Sequence, residues 1–386
     1  MANAVYIHIP FCHEICHYCD FAKMYYDEDL ADHYLTALDQ EMNLYIGKPA
    51  KTVRTIYIGG GTPTSLNPKQ LKQLMKTIST YFDVNQAEEF TIEANPGEFT
   101  EEHVKVMKAY GVNRVSLGVQ VLDNDYLIQL NRLHTVEDVN EAVRLLEKHG
   151  LTNISMDFIY ALPDQTLAHF QNTLKHALAY DLPHYSSYAL QIEPRTVFHM
   201  RHQQGKLNKP PEETEAEMFI SLMETMEHNG LSHYEVSNFS KEGFESKHNL
   251  TYWSNVPYYA FGAGAHGYLQ NERYVNFRPV NHYIQAIDSN EKPILHIDPI
   301  TKKEQIEEEM FLGLRRRIGV SDNQFQQKYG LSFFDLYGKD ISHLKEKGWL
   351  EQDEDIIRLT RDGLLFGNDV FASFLLDENQ YKFVDR

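Results

Sequence analysis

From residue 4 onward the chain alternates between two hydrophobic periods. Short runs rich in Val, Ile, Thr and Tyr stand at 4–9, 53–59, 89–94, 114–119, 153–160 and 184–192. Between them, apolar residues recur at helical spacing over about 28–46, 68–81, 100–110, 123–149 (interrupted near His134) and 166–179. The first pattern is that of strands, the second that of amphipathic helices. Strand-then-helix alternation predicts an α/β fold with a parallel sheet and helices outside it. Six such units predict a partial (β/α)6 barrel, short of a closed eight-stranded one. A helix over 212–229 and a strand near 232–236 follow, then an irregular segment rich in aromatic residues and histidine from about 237 to 283. From about 303 to 376 the period is helical again, with a short hairpin near 349–359, which predicts a small, mainly helical, winged-helix-like unit. The expected division is a core at 1–240, a connecting segment at 241–302 and a C-terminal domain at 303–386.

Composition narrows the class. Apolar residues make up 42% and charged residues 24%, the balance of an ordinary globular protein. No stretch approaches the roughly 20 apolar residues that span a bilayer, so the chain is not expected to be integral to a membrane. The formal net charge of −19 disfavours nucleic acid as a partner, because phosphates demand a basic surface. Arg315-Arg316-Arg317 follows Glu307, Glu308 and Glu309 in a helical pattern and reads as a solvated helix face. A strand beginning at residue 4 is read as leaving no signal or transit peptide, and three cysteines give no disulfide framework. The expected location is the reducing cytoplasm.

The candidate chemistry sits at the strand ends, where open parallel sheets and barrels place it. All three cysteines, Cys12, Cys16 and Cys19, lie in the loop after the first strand. Three buried, inert cysteines is the alternative, since free Cys packs like a small hydrophobe, but their clustering argues for a metal site. A closed structural zinc site wants four ligands and there is no fourth cysteine. A four-iron cluster on three cysteines leaves one iron open. Gly59-Gly60-Gly61-Thr62-Pro63 follows the second strand, Glu93 closes the third, Gln120 ends the fourth and Asp157 lies in the fifth.

Cys-x3-Cys-x2-Cys followed by Gly-Gly-Gly-Thr-Pro resembles the radical S-adenosylmethionine (SAM) superfamily. The resemblance implies a [4Fe–4S] cluster on Cys12, Cys16 and Cys19, with SAM on the open iron and its sulfonium cleaved to a 5′-deoxyadenosyl radical. Over residues 4 to about 376 the chain further resembles the oxygen-independent coproporphyrinogen III oxidases and their relatives, the HemW haem chaperones. This implies that Tyr6 stands beside the cluster and the first SAM. It also implies that Gly60, Gly61 and Thr62 form a loop whose backbone N–H groups reach a ligand carboxylate, and that Glu93 contacts the cluster-bound SAM. Gln120, Arg132 and Asp157 match residues that line a second SAM site in the oxidases. Without the resemblance, Arg132 reads equally as a surface helix residue and Asp157 as a helix cap.

Two departures separate the relatives. The oxidases carry a further cysteine two positions after the third, where this chain has Phe21, and an N-terminal extension of tens of residues before the motif. Lys247-His248-Asn249-Leu-Thr-Tyr252-Trp253 contains the His-Asn-x-x-Tyr-Trp pattern of the chaperone branch. His248 is the expected haem ligand, with a backbone-bonded loop histidine as the alternative, and Tyr252 and Trp253 offer flat surfaces for a macrocycle. His266, in Gly262-Ala-Gly264-Ala-His266-Gly267, is a second candidate, with a structural turn as its alternative. The resemblance implies a haem chaperone that hands haem to acceptors such as respiratory enzymes, meeting membrane-bound ones at the membrane surface, with a homodimer as the assembly to test. The competing expectation is a coproporphyrinogen III oxidase that decarboxylates two propionates. No catalytic residue is assigned.

Overall fold

Six strands run parallel through the centre of the molecule: β1 Ala4–Ile9, β2 Thr55–Gly60, β3 Glu89–Ala94, β4 Arg114–Gln120, β5 Ile154–Tyr160 and β6 His184–Ala189. The structure, a computed structural model, describes residues 2–377; residue 1 and the last nine residues assigned to the C-terminal unit lie outside it. The six strands neighbour one another in chain order, as the alternation predicts. Their outward residues, such as Val5, Ile7, Ile58, Ile92, Val115, Leu117 and Met156, are fully buried beneath the helices. Each such side chain contributes about 1.5–3 kcal/mol on leaving water. The alternate, inward residues are polar and surround a cavity: Tyr57, Glu93, Ser116, Asp157, Ser186 and Tyr188.

Local signals set the helix ends. Asp27 accepts from the Leu30 amide at the start of Glu28–Tyr45, and an Asn67–Gln70 capping box with Pro68 opens Pro68–Tyr81. The stretch 123–149 divides into Asn124–Gln129 and Val136–Lys148, with Asn131 in the left-handed region (φ 61°) at the break.

The sheet is larger than six strands. Ser232–Glu235 (β7) and Asn238–Ser240 (β8) extend it antiparallel beyond β6, and Tyr259–Phe261 (β9) adds a seventh parallel strand outside β1. The segment 241–302 is therefore not a connector. Its helix Lys247–Trp253 enters the barrel at the N-terminal ends of β2 and β3, where the Glu89 carboxylate accepts from the Lys247 and His248 amides at 2.8 and 3.0 Å. A buried carboxylate at a helix N-terminus satisfies otherwise orphaned donors and complements the helix dipole. Three antiparallel strands follow, His266–Leu269 (β10), Glu272–Asn276 (β11) and Ile294–Pro299 (β12), with helix Val280–Asp288 between the last two.

Beyond residue 301, helices Lys302–Leu314, Asp322–Tyr329 and Phe333–Glu346 pack with Val320–Ser321 and the hairpin Leu350–Asp353/Ile356–Leu359, as the winged-helix-like reading expected. The arginine triplet corrects the sequence reading. Arg315 lies 4.4 Å over the Trp253 ring, Arg316 donates to Ser254 Oγ at 3.2 Å and Arg317 donates to the Leu359 carbonyl at 2.7 Å. The helix ends at Leu314, so these side chains leave the helical face: Arg315 and Arg316 clamp the C-terminal unit to helix Lys247–Trp253, and Arg317 ties the unit to its own hairpin.

Glu41, wholly buried, ties helix Glu28–Tyr45 to the same region. Its carboxylate accepts from the Gly262 amide at 2.8 Å, Asn276 Nδ2 at 2.6 Å and the Tyr283 hydroxyl at 2.6 Å. Burial pushes its carboxyl up to about 7 despite those three donors. A folded-state value above the unfolded one means the native state holds the proton longer. Stability linked to Glu41 is therefore complete at pH 4 and is lost as the pH rises towards 7. Glu41→Gln is expected to remove that decline, so that denaturant midpoints of the variant stay flatter than wild type between pH 5 and 7. Parallel pH profiles for the two proteins would show that Glu41 does not titrate there.

Candidate cluster and cofactor site

The cysteine loop leaves β1 through Pro10 and is braced on both sides. Met24 and Tyr26 amides donate to the Pro10 and Cys12 carbonyls, the His17 amide to the Leu130 carbonyl, and Asn131 Nδ2 to the Ile15 carbonyl. Thr62 Oγ1 donates to Cys12 Sγ at 3.6 Å and Arg132 Nη1 to Cys16 Sγ at 3.4 Å. Lys23 Nζ donates to the Cys19 carbonyl. Among the described residues no three His, Cys, Asp or Glu side chains are grouped as the ligands of a single ion. Three thiolates that each bind a different iron of a cluster do not need to be. Burial pushes the Cys12 thiol up to about 12, so iron would have to supply the charge that holds the thiolate. Donors aimed at sulfur are what a cluster's thiolates use to tune potential. The donor set fits a [4Fe–4S] group.

The glycine loop fits for a steric reason. A Cβ on Gly61 would stand 2.8 Å from the Phe11 carbonyl oxygen and 3.0 Å from Cys12 Sγ, and one on Gly60 (φ 118°) would stand 2.5 Å from the His8 ring. The expected use of the loop's N–H groups is corrected. Gly60 N donates to Glu93 Oε2 at 2.9 Å, Gly61 N to the Ile9 carbonyl at 2.8 Å and Thr62 N to the Phe11 carbonyl at 2.8 Å. With these three amides engaged inside the protein, none of them is left to meet a ligand carboxylate.

Glu93 is half-buried, accepts from the Tyr57 hydroxyl at 2.8 Å, and is pushed up to about 7 by burial. Asp157 accepts from Ser116 Oγ at 2.7 Å and Ser155 Oγ at 2.9 Å. Gln120 takes a left-handed backbone (φ 68°) at the end of β4, which turns the chain over the strand edge. Arg132 is not a surface residue: its Nη2 donates to Asn95 Oδ1 and to the Gly118 carbonyl, each at 2.6 Å. The three cysteines, Gly60, Gly61, Thr62, Glu93, Gln120, Arg132 and Asp157 all line one cavity of about 450 Å³. Tyr6 lies in an adjoining cavity of about 560 Å³, its hydroxyl 2.9 Å from His8 Nδ1. Asp20, Phe21, Gly60 and Glu93 line both cavities and so form the wall between them.

His248 is in neither cavity, and this corrects its assignment as haem ligand. It is 0% exposed, its Nδ1 is 2.8 Å from Thr55 Oγ1, its Nε2 is 2.8 Å from the Tyr252 hydroxyl, and its ring stacks on Tyr57. Burial pushes it down to about 3, so it stays neutral, with neither nitrogen free for iron. Trp253 is covered by Arg315, and of the motif's two aromatic residues Tyr252 alone lines either of these two cavities. Sequence reasoning missed Asn95, Tyr57, Arg114 and Tyr188 on the cavity wall. Their signal was available: polar residues at every second position of strands otherwise rich in buried apolar ones.

Residues 6–177 match the Radical SAM superfamily and residues 300–366 match the HemN C-terminal domain. The superfamily match implies binding of a [4Fe–4S] cluster and SAM. The chain is 47% identical over 375 residues to a heme chaperone HemW of Bacillus subtilis, covering 97% of this chain and 99% of that one. It is 44% identical to a heme chaperone HemW of Lactococcus lactis, covering 97% and 98%. Among solved structures, coproporphyrinogen III oxidase (HemN) from Escherichia coli, a radical SAM enzyme, superposes with a TM-score of 0.84 at 24% identity, covering 97% of this chain and 90% of that one. That likeness shows a shared fold. No helix among the described residues is long and apolar enough to cross a membrane. With identities of 47% and 44% sustained along nearly the whole length of both chains, this protein belongs to the HemW haem-chaperone family of the radical SAM superfamily.

Proposed function

We propose that the chain binds haem and delivers it to haem-dependent proteins, respiratory enzymes among them, from a cytoplasmic position. Cys12, Cys16 and Cys19 would hold the [4Fe–4S] cluster, and Tyr6, Gly60, Gly61, Thr62 and Glu93 the SAM beside it. The observation that carries the reading is full-length identity to chains named heme chaperones. Phe21, where the oxidases place a cysteine, supports it. The HemN likeness at 24% identity carries the barrel and not its reaction.

When bound, the cluster supplies a one-electron reductant at a site where SAM can occupy the open iron. The protein's own part is positioning. Thr62 and Arg132 place hydrogen-bond donors on two of the three sulfurs. Glu93, held by Tyr57 and Gly60, keeps a carboxylate at the cavity wall for an ammonium or hydroxyl of the ligand. Gln120, Arg132 and Asp157 close the far side, and we assign them to a second SAM position with Arg132 also acting on Cys16. Contact with membrane-bound acceptors and a homodimer belong to the same reading. The C-terminal unit from 303 onward is held against the barrel through Arg315 and Arg316, and we read it as a structural unit rather than a nucleic-acid reader.

Anaerobic reconstitution followed by parallel haem titration and coproporphyrinogen turnover tests the reading. The expected result is haem bound with a defined Soret band and no protoporphyrinogen above the enzyme-free control. Protoporphyrinogen formed in step with SAM consumption would establish the oxidase instead.

A further inference from the structure

The cavity of about 560 Å³ beside the cluster cavity shares Tyr6, Gly60 and Glu93 with the proposed SAM site along one side, its remaining wall is explained by neither SAM nor the cluster, and no cysteine lines it. Its far wall is the three-stranded sheet β10–β12. Registers pair His266 with Val275 and Val275 with His296, so the three stand in one row on one face. A bulge between Val275 and Asn276 brings Leu295 to the cavity beside them. Gly264 (φ 71°), whose Cβ would stand 2.6 Å from Ala22 Cβ, lets the turn before His266 close on the loop that follows the cysteines. The near wall is Phe21, and Tyr252 and Tyr258, 4.7 Å apart and edge to face, form its floor.

Resting on the haem-chaperone reading, we propose that this second cavity is the haem site and that His266 is the axial ligand. Haem asks for three things: an apolar slot for a flat macrocycle, a nitrogen for iron, and a cation for its propionates. Leu295, 54% exposed, and Phe21, 63% exposed and shared with the cluster cavity, supply the apolar groups of the rim, while the Asp20 and Glu93 carboxylates stand on the shared wall; large exposed apolar groups around a concavity mark a binding surface. His266 is exposed, and no hydrogen bond to its ring occurs among the described residues. The other histidine of the cavity, His8, has one ring nitrogen on the Tyr6 hydroxyl and the other 2.7 Å from the Ala22 carbonyl. Arg278 lines the same cavity with one Nη on the Asp20 carbonyl, and its remaining N–H groups can meet a carboxylate. An exposed axial histidine also suits delivery, since an acceptor's own ligand can reach the iron from solvent. Buried His248 would forbid that exchange.

The test is haem titration of the full-length, cluster-reconstituted protein, read by Soret position and dissociation constant, for wild type, His266→Gly and His296→Ala. His266→Gly is expected to weaken haem binding by at least roughly tenfold and to shift the Soret band, with added imidazole restoring both. His296→Ala is expected to keep the wild-type spectrum, and protoporphyrin IX, which has no iron, should bind wild type and His266→Gly alike. An unchanged spectrum and affinity in His266→Gly, or a loss that imidazole does not restore, overturns the ligand assignment. A wild-type chain that takes up no haem overturns the haem-chaperone reading itself.

Discussion

Replacing Cys16 with alanine is expected to leave a folded chain that assembles no cluster. After anaerobic reconstitution, iron should fall from about four atoms per chain to background and the broad visible absorption of the cluster should vanish, because two remaining cysteines cannot hold a cubane. The fold should survive, since Cys16 is only half-buried and belongs to no hydrophobic core cluster. The cost extends to Arg132, whose guanidinium would lose its sulfur partner while keeping Asn95 and Gly118. SAM should then bind far more weakly, with no open iron to chelate. Haem uptake should persist, because no residue of the second cavity is a cysteine. Retention of wild-type iron by Cys16→Ala would sink the ligand assignment, and loss of haem uptake together with iron would place the two ligands in one site.

That separation of two cavities could not be read from the sequence. The strand periods predicted β1 and β3 to the residue and placed the cysteine loop, the glycine loop, Glu93, Gln120 and Asp157 at one edge, because a parallel barrel gathers strand ends whatever their distance in the chain. Strand Tyr259–Phe261 escaped, since three residues carry no period, and with it went the clue that 241–302 is built into the barrel. His248 sits in a motif that a sequence can only read as a motif. Its partners Thr55 and Tyr57 lie some two hundred positions away, and only the fold shows that they close Nδ1 and one ring face while Tyr252, inside the motif, closes Nε2. The same limit applied to Arg315–Arg317, where a helical period ran on in the sequence past the residue at which the helix stops. His266 was visible as a residue but not as a site, because its cavity draws on positions from Tyr6 to Leu295.

Gly60→Ala is expected to show how tightly the first cavity and the second share a wall. The added Cβ would meet His8 Cε1 and Nδ1 at 2.5 Å, on a backbone at φ 118° that side chains rarely adopt. His8 cannot swing aside: it is 5% exposed and pinned between the Tyr6 hydroxyl at 2.9 Å and the Ala22 carbonyl at 2.7 Å. Overpacking and the left-handed backbone together are expected to cost roughly 2–5 kcal/mol, a large share of the 5–15 kcal/mol that holds a typical domain together. Relief must move His8, and with it Ala22 and the end of the cysteine loop. Gly60→Ala should therefore lower the thermal midpoint by several degrees and reduce iron per chain in the fraction that folds. Gly47→Ala is the control, since Gly47 also has a positive φ (61°) but nothing stands within 4 Å of its Cβ. It should lose only the small cost of the backbone and keep full iron. Equal midpoints and equal iron for the two variants would mean that His8 is not the strut joining the glycine loop to the cysteine loop.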